Sequence, residues 1–403
     1  MFRFRKCASH AARLGVVALL LLTVLPVGVR AEPANQANSL TIALISADTG
    51  WGALFGGGVK RAWQLKADEL NGAGGVNIGG QSYQIQYKKY DDQFDATLSR
   101  TIGERAANQD GVKFFGMEGY PGASSQTEIA NANKIIVMHT STDPGIVSGS
   151  DYMFLTVNPF WAVYGPLLQE IQKAFPNAKR VAGLSPNTSD NFDVRDELPG
   201  IASKLGLQSA GTVLGDRGQD WSSSVSKALA LQPDIIVFGC FGSDEVAVLQ
   251  LLRDLGYQGA MATPCQITED DKLLSEVGAD FLEGRWFKTA PGPSPFTPEV
   301  QAYHDAFVAD GSGWTDWAVA YWYGPEAFFT ALQQAGSLDP DAISQALRNI
   351  ELPAKLVANT PVMHMYGQEK YGKKNVLESP VYVTRVTGGK FLTVDALMPI
   401  HGN

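Results

Sequence analysis

Histidine and cysteine, the side chains most often used for metal binding and nucleophilic chemistry, are scarce here: five and three in 403 residues. Beyond His10, the histidines His139, His304, His364 and His401 are scattered without the paired spacing of a zinc site, so no metal is expected. There is no Gly-x-Ser-x-Gly elbow, which argues against an α/β hydrolase, and no nucleophile-base pair is recognisable. Clusters of lysine and arginine are also missing, which argues against nucleic acid and anionic membrane surfaces as partners. Residues 14–29 form an apolar run, but it is interrupted by Pro26 and falls short of the roughly 20 residues that span a bilayer. No short repeat or low-complexity tract is visible.

That run instead fits a cleaved export signal. Arg3, Arg5 and Lys6 precede it, and Val29-Arg30-Ala31 places small residues where a signal peptidase reads, so residues 1–31 are expected to be removed. No cysteine follows the cleavage point to accept a lipid, so the expected location is the periplasm, with no membrane insertion afterwards. Losing five basic residues leaves 27 basic against 41 acidic side chains, a net charge of −14 that favours solubility. About 370 residues remain, more than the ~250–300 at which one core stops growing, so two lobes are expected.

Hydrophobic periodicity then sets the fold class. Residues 40–45, 83–90, 113–116 and 134–138 read as short strands, with helical patterns at 60–70 and 96–107. A second series has strands at 181–184, 208–214, 234–239 and 259–263, again separated by helical stretches. Alternation of this kind implies parallel sheets covered on both faces. After Gly284 come a proline-rich link at 291–298 and mostly helical sequence to Ile350, then strand alternation around Gly388-Gly389. The expected first lobe comprises 39–157 and 288–357, and the second 158–287 and 358–403.

Ligands of open parallel sheets sit beyond the carboxyl ends of the strands. The loops there, 46–58, 117–125, 139–142, 185–192, 240–243 and 264–268, are rich in Ser, Thr and aromatic residues and poor in His and carboxylate. Such loops suit holding a small molecule better than acid-base chemistry. Gly56-Gly57-Gly58 is only a fragment of a dinucleotide fingerprint, so no cofactor is expected. Cys240 and Cys265 each follow a strand and, in an oxidising compartment, are expected to bridge if those strands are neighbours; two unpaired thiols are the alternative.

Four segments carry a resemblance: Ser46-Ala-Asp-Thr-Gly50, Leu70-Asn-Gly-Ala-Gly-Gly-Val76, Tyr90-Asp-Asp92, and residues 321–336 with their spaced alanines. In this order the chain resembles the branched-chain amino acid (Leu/Ile/Val) binding proteins of bacterial ABC importers. The resemblance implies a type I solute-binding fold: two Rossmann-like α/β lobes with parallel sheets, joined by three hinge crossovers and closing on a ligand. It implies a small-molecule ligand, an inner-membrane permease as partner, a monomer, and no enzymatic activity. A ligand sensor for a signalling receptor is the alternative among binding proteins, and an exported α/β enzyme the alternative outside them.

In such relatives first-lobe hydroxyls hold the ligand carboxylate, which here points to Ser124, Ser125, Ser141 and Thr142, with ordinary helix capping as the competing role. Phe55 matches the aromatic cover, with Trp51 nearby and Tyr120 on the next loop; Phe192 and Phe241 match second-lobe aromatics. The acid that accepts the ligand ammonium has no counterpart, because the matching segment reads Thr263-Pro264-Cys265-Gln266. Burying an unpaired ammonium costs several kcal/mol. An aromatic or other hydrophobic carboxylate therefore stands beside the hydrophobic amino acids as an expected ligand. Glu269, Asp270 and Asp271, a few residues on, are expected to open the next helix, with substitution for the missing acid as the alternative. The aromatic run Trp314, Trp317, Tyr321, Trp322 and Tyr323 is expected to serve helix packing near the hinge.

Overall fold

The computed structural model describes residues 38–50, 52–119, 121–290, 292–315, 317–357 and 361–397; the expected export signal, Trp51 and Tyr120 lie outside them. The first sheet contains β1 (Asn38–Ile45), β2 (Val76–Ile78), β3 (Gln81–Tyr90), β4 (Phe114–Met117), β5 (Ile136–His139) and β6 (Met153–Leu155). The second is built on β7 (Arg180–Pro186), β8 (Gln208–Gly215), β9 (Ile235–Phe238), β10 (Ala260–Thr263) and β11 (Trp286–Ala290). The remaining strands are β12 (Glu351–Pro353), β13 (Val362–Tyr366), β14 (Val376–Leu377), β15 (Val381–Thr387) and β16 (Lys390–Leu397).

Strand order is β12-β13-β14-β6-β5-β4-β1-β3-β2 in one sheet and β16-β15-β11-β10-β9-β7-β8 in the other. The cores of both are parallel, β6-β5-β4-β1-β3 and β11-β10-β9-β7-β8, with antiparallel strands only towards the edges. Central strands are buried along most of their length, as helices on both faces require: β4, β5, β9 and β10 expose no residue. In each sheet the order reverses beside the first strand, β1 or β7, which opens a crevice at the carboxyl ends.

Pairing departs from the expected division of the chain at two places. Lys288 lies in β11 of the second sheet, although residues 288–357 were expected in the first lobe. Conversely β13 and β14 pair into the first sheet, through Val376 against Leu155 of β6, although 358–403 were expected in the second lobe. Strands of two to five residues leave little periodicity to read, so β6, β12, β13 and β14 escape the sequence pattern. The chain thus passes between sheets after β6, after β11, and between β14 and β15. Asn158, in the first crossing, donates from Nδ2 to the Ser379 carbonyl (2.6 Å) in the third and accepts the Ser379 N–H at Oδ1 (3.0 Å).

Helix Ala53–Gly72 packs its Val59, Ala62, Trp63 and Ala67 face inward, and Trp63 meets Phe328 and Phe329 of helix Trp317–Ala335 at 5.5 and 6.0 Å. Gly56 is required there: a Cβ would stand 2.1 Å from the Ala47 carbonyl oxygen. The glycine triplet therefore serves close packing of the helix on the loop after β1. No described helix is long and apolar enough to cross a membrane.

Candidate functional site

The carboxyl ends of the two sheets face one cavity of about 80 Å³, partly open to solvent. From the first sheet it is lined by Phe55 after β1, Phe94 after β3, Glu118 and Gly119 after β4, and Thr140, Ser141 and Thr142 after β5. The second sheet contributes Arg217 after β8, Cys240 after β9 and Cys265 after β10. Phe160, Trp317 and Tyr321 close the hinge side.

Asp91 fixes the first loop. Its Oδ1 accepts the Asp48 N–H (2.8 Å) and its Oδ2 the Thr49 hydroxyl (2.7 Å), while Lys60 pairs with Asp48 at 2.7 Å. Burial opposes ionisation of Asp91, but these donors and the Gln93 N–H outweigh it and hold the carboxyl below its usual range. Next to it, Asp92 Oδ1 accepts the Phe94 N–H at 3.1 Å. Gln93 and Phe94 both take left-handed backbone, φ 53° and 61°, a conformation that costs energy away from glycine and here delivers the Phe94 ring to the cavity. The Tyr90-Asp-Asp92 motif is thus spent on loop shape.

The second-lobe corner is similarly tied. Cys240 and Cys265 are disulfide-bonded, with Cα atoms 5.0 Å apart, across the ends of the neighbouring strands β9 and β10. The Cys240 N–H donates to Asn191 Oδ1 (2.6 Å), and Arg217 Nη2 donates to the Cys240 carbonyl (2.8 Å). Gly239 permits that approach, since a Cβ would lie 2.1 Å from Ser185 Oγ.

On the first-lobe wall the hydroxyls of Thr140, Ser141 and Thr142 form a row. Thr140 Oγ1 accepts the Gly119 N–H (3.1 Å) and Ser141 Oγ the Asp143 N–H (3.3 Å), so both keep a proton to donate. Behind them His139 is fully buried, neither ring nitrogen has a hydrogen-bond partner, and burial pushes its pKa down to about 3. It is a neutral core histidine beneath the site.

Of the residues the sequence singled out, the cavity brings together Phe55, Ser141, Thr142, Cys240 and Cys265. Ser124 and Ser125 are not on its wall; their hydroxyls donate to the carbonyls of Pro121 and Gly122, both at 2.7 Å, which is back-bonding within a short helix and neither ligand contact nor an N-cap. Phe241 is core, 3% exposed against the rings of Trp221 (4.7 Å) and Phe238 (5.6 Å). Phe192 also lies off the wall, stacked under the Arg195 guanidinium at 4.3 Å. Asp270 starts a helix as expected and faces a different cavity, where it accepts from Lys288 Nζ (2.6 Å).

The residues missed are Phe94, Glu118, Thr140, Phe160, Arg217, Trp317 and Tyr321. Glu118 directly follows β4, so the strand-end rule was sufficient to find it. Phe94 and Arg217 sit on the loops after β3 and β8, neither of which is among the strand-end loops singled out from the sequence. Trp317 and Tyr321 belong to the aromatic run, which serves both packing and the cavity: Tyr323 is wholly buried, while these two reach the wall.

A model of the family described as periplasmic binding protein matches residues 39–390. The leucine-, isoleucine-, valine-, threonine-, and alanine-binding protein of Pseudomonas aeruginosa is 26% identical over 77% of this chain and 83% of its own. Among crystal structures, a solute-binding protein of an ABC transporter from R. palustris in complex with 4-hydroxybenzoate superposes with a TM-score of 0.74 at 14% identity, covering 90% of this chain and 98% of that one. The branched-chain amino acid transporter substrate-binding protein LivJ from Streptococcus pneumoniae in complex with isoleucine gives 0.68 at 16% identity, over 90% and 99%.

Proposed function

Since the chain belongs to the periplasmic binding protein family, we propose that it is exported, encloses a small hydrophobic carboxylate between its lobes, and hands it to an ABC permease in the inner membrane. The observation that carries this reading is a cavity at the carboxyl ends of both sheets, with five rings, three Ser/Thr hydroxyls, one acid and one guanidinium on its described wall. Rings supply most of the contact area for a small apolar ligand, and a few polar groups fix its orientation. The relatives carry two ligand chemistries: amino acids, namely leucine, isoleucine, valine, threonine and alanine for the protein from P. aeruginosa and isoleucine for that from S. pneumoniae, and the aromatic acid 4-hydroxybenzoate for that from R. palustris.

Between these, Glu118 favours the amino acids. It is 6% exposed and supplies the carboxylate for an ammonium that the segment after β10 does not. With Arg217 it gives the described wall one acid and one cation, which suits a ligand that carries both an ammonium and a carboxylate. Binding without turnover is the assigned activity.

The test is a thermal-shift screen of protein freed of carried ligand by unfolding and refolding. Leucine, isoleucine and phenylalanine are expected to raise the melting temperature, because a ligand that binds only the folded state stabilises it by mass action. Stabilisation by 4-hydroxybenzoate alone would replace the amino acid by the aromatic acid, and stabilisation by none of these would remove the hydrophobic carboxylate altogether.

A further inference from the structure

The two charges of the cavity stand on the lobes opposite to those the resemblance implies. By that resemblance, first-lobe hydroxyls take the ligand carboxylate and a second-lobe acid takes the ammonium. Here the acid, Glu118, follows β4 of the first sheet, and the cation, Arg217, follows β8 of the second. Arg217 is mounted on a rigid corner: Nη2 bonds the carbonyl of Cys240, whose sulfur is bridged to Cys265 and whose N–H is held by Asn191.

Resting on the proposed amino acid ligand, we propose that this protein binds it with reversed polarity, the ammonium towards Glu118 of the first lobe and the carboxylate towards Arg217 of the second. In a closed cleft, charges are poorly screened. The reversed orientation sets each ligand charge against its opposite, whereas the expected one sets carboxylate near Glu118 and ammonium near Arg217, repulsive at both ends. A guanidinium presents a planar pair of donors that matches a carboxylate. The hydroxyls of Thr140, Ser141 and Thr142 fit either orientation, since a hydroxyl accepts from an ammonium as readily as it donates to a carboxylate. Closure then brings the Arg217 corner onto a carboxylate already presented by a ligand seated on the first lobe, which couples recognition of that group to lobe closure.

Isothermal titration of refolded protein with L-leucine, L-leucinamide and 4-methylpentanoate, and with the corresponding phenylalanine series, reads the two charges separately. The wild type is expected to prefer the amino acid over the amide and over the amine-free acid by roughly 100-fold each, the scale of a charged hydrogen-bonded contact. Arg217→Gln is expected to bring the acid-to-amide ratio close to one and leave the amine ratio, and Glu118→Gln to do the reverse. Arg217→Lys restores part of the acid preference. Because Arg217 also bonds the Cys240 carbonyl, melting temperatures of the unliganded variants separate misfolding from lost recognition, and the ratios are insensitive to a general loss of affinity. If Ser141→Ala or Thr142→Ala removes the acid preference while Arg217→Gln retains it, the orientation is the ordinary one and the proposal is overturned. A wild type that binds neither leucine nor phenylalanine overturns the ligand reading, and the orientation with it.

Discussion

His139 ends a strand with no exposed residue, and its ring has no partner to stabilise a charge. With a folded pKa pushed down to about 3 from an ordinary 6.5, the unfolded chain binds more protons at every pH between the two. Stability from this group is therefore complete above pH 6.5 and declines as pH falls below it, by about 2 kcal/mol at pH 5. His139→Leu is expected to flatten that decline in urea denaturation at pH 5 and 7; an unchanged slope would place the acid sensitivity elsewhere. Glu245 acts in the opposite direction. It is 4% exposed, and burial pushes its pKa up to about 7 although it accepts the Thr268 N–H. Its contribution is complete below the ordinary carboxylate pKa and is lost as pH rises through 7, so Glu245→Gln is expected to gain stability over the wild type at pH 8 relative to pH 5. Equal differences at the two pH values would contradict the assignment.

Strands and the loops after them explain what was legible in the sequence. A buried parallel strand writes itself as a short apolar run, and the loop that follows is functional for a topological reason, so the loops that carry Phe55, Ser141, Thr142 and the two cysteines were legible from pattern, while the choice of Phe55, Ser141 and Thr142 within them came from the resemblance. Side-chain direction was not: whether a loop aromatic enters the cavity or the core depends on neighbours distant in sequence, and Phe241 is drawn inward by Trp221 and Phe238. Serines within a short helix have carbonyls three residues back within reach, which is why Ser124 and Ser125 turn away. The cysteine bridge follows from β9 and β10 being neighbours, and it closes a loop with a sequence separation of 25 residues. Replacing both by serine is expected to lower unfolding free energy by about 3 kcal/mol in the chain-entropy account. The denatured, unreduced protein beginning near Glu32 is expected to react with no thiol reagent, and two reactive thiols would remove the bridge from the site.

At the scale of the whole molecule, the cavity is made of pieces from two sheets connected by three crossings, and two of those crossings are stitched to each other through Asn158 and Ser379. Its wall exists as a continuous surface only while the lobes are together. Ligand contacts on both sides therefore favour the closed form over the open one, and the closed shape is what a permease can distinguish. Small-angle X-ray scattering on refolded protein, with and without a saturating ligand from the thermal-shift screen, tests this most directly. The account predicts a smaller radius of gyration with ligand bound; an unchanged radius in the presence of calorimetrically verified one-to-one binding would contradict closure of the two lobes around the ligand.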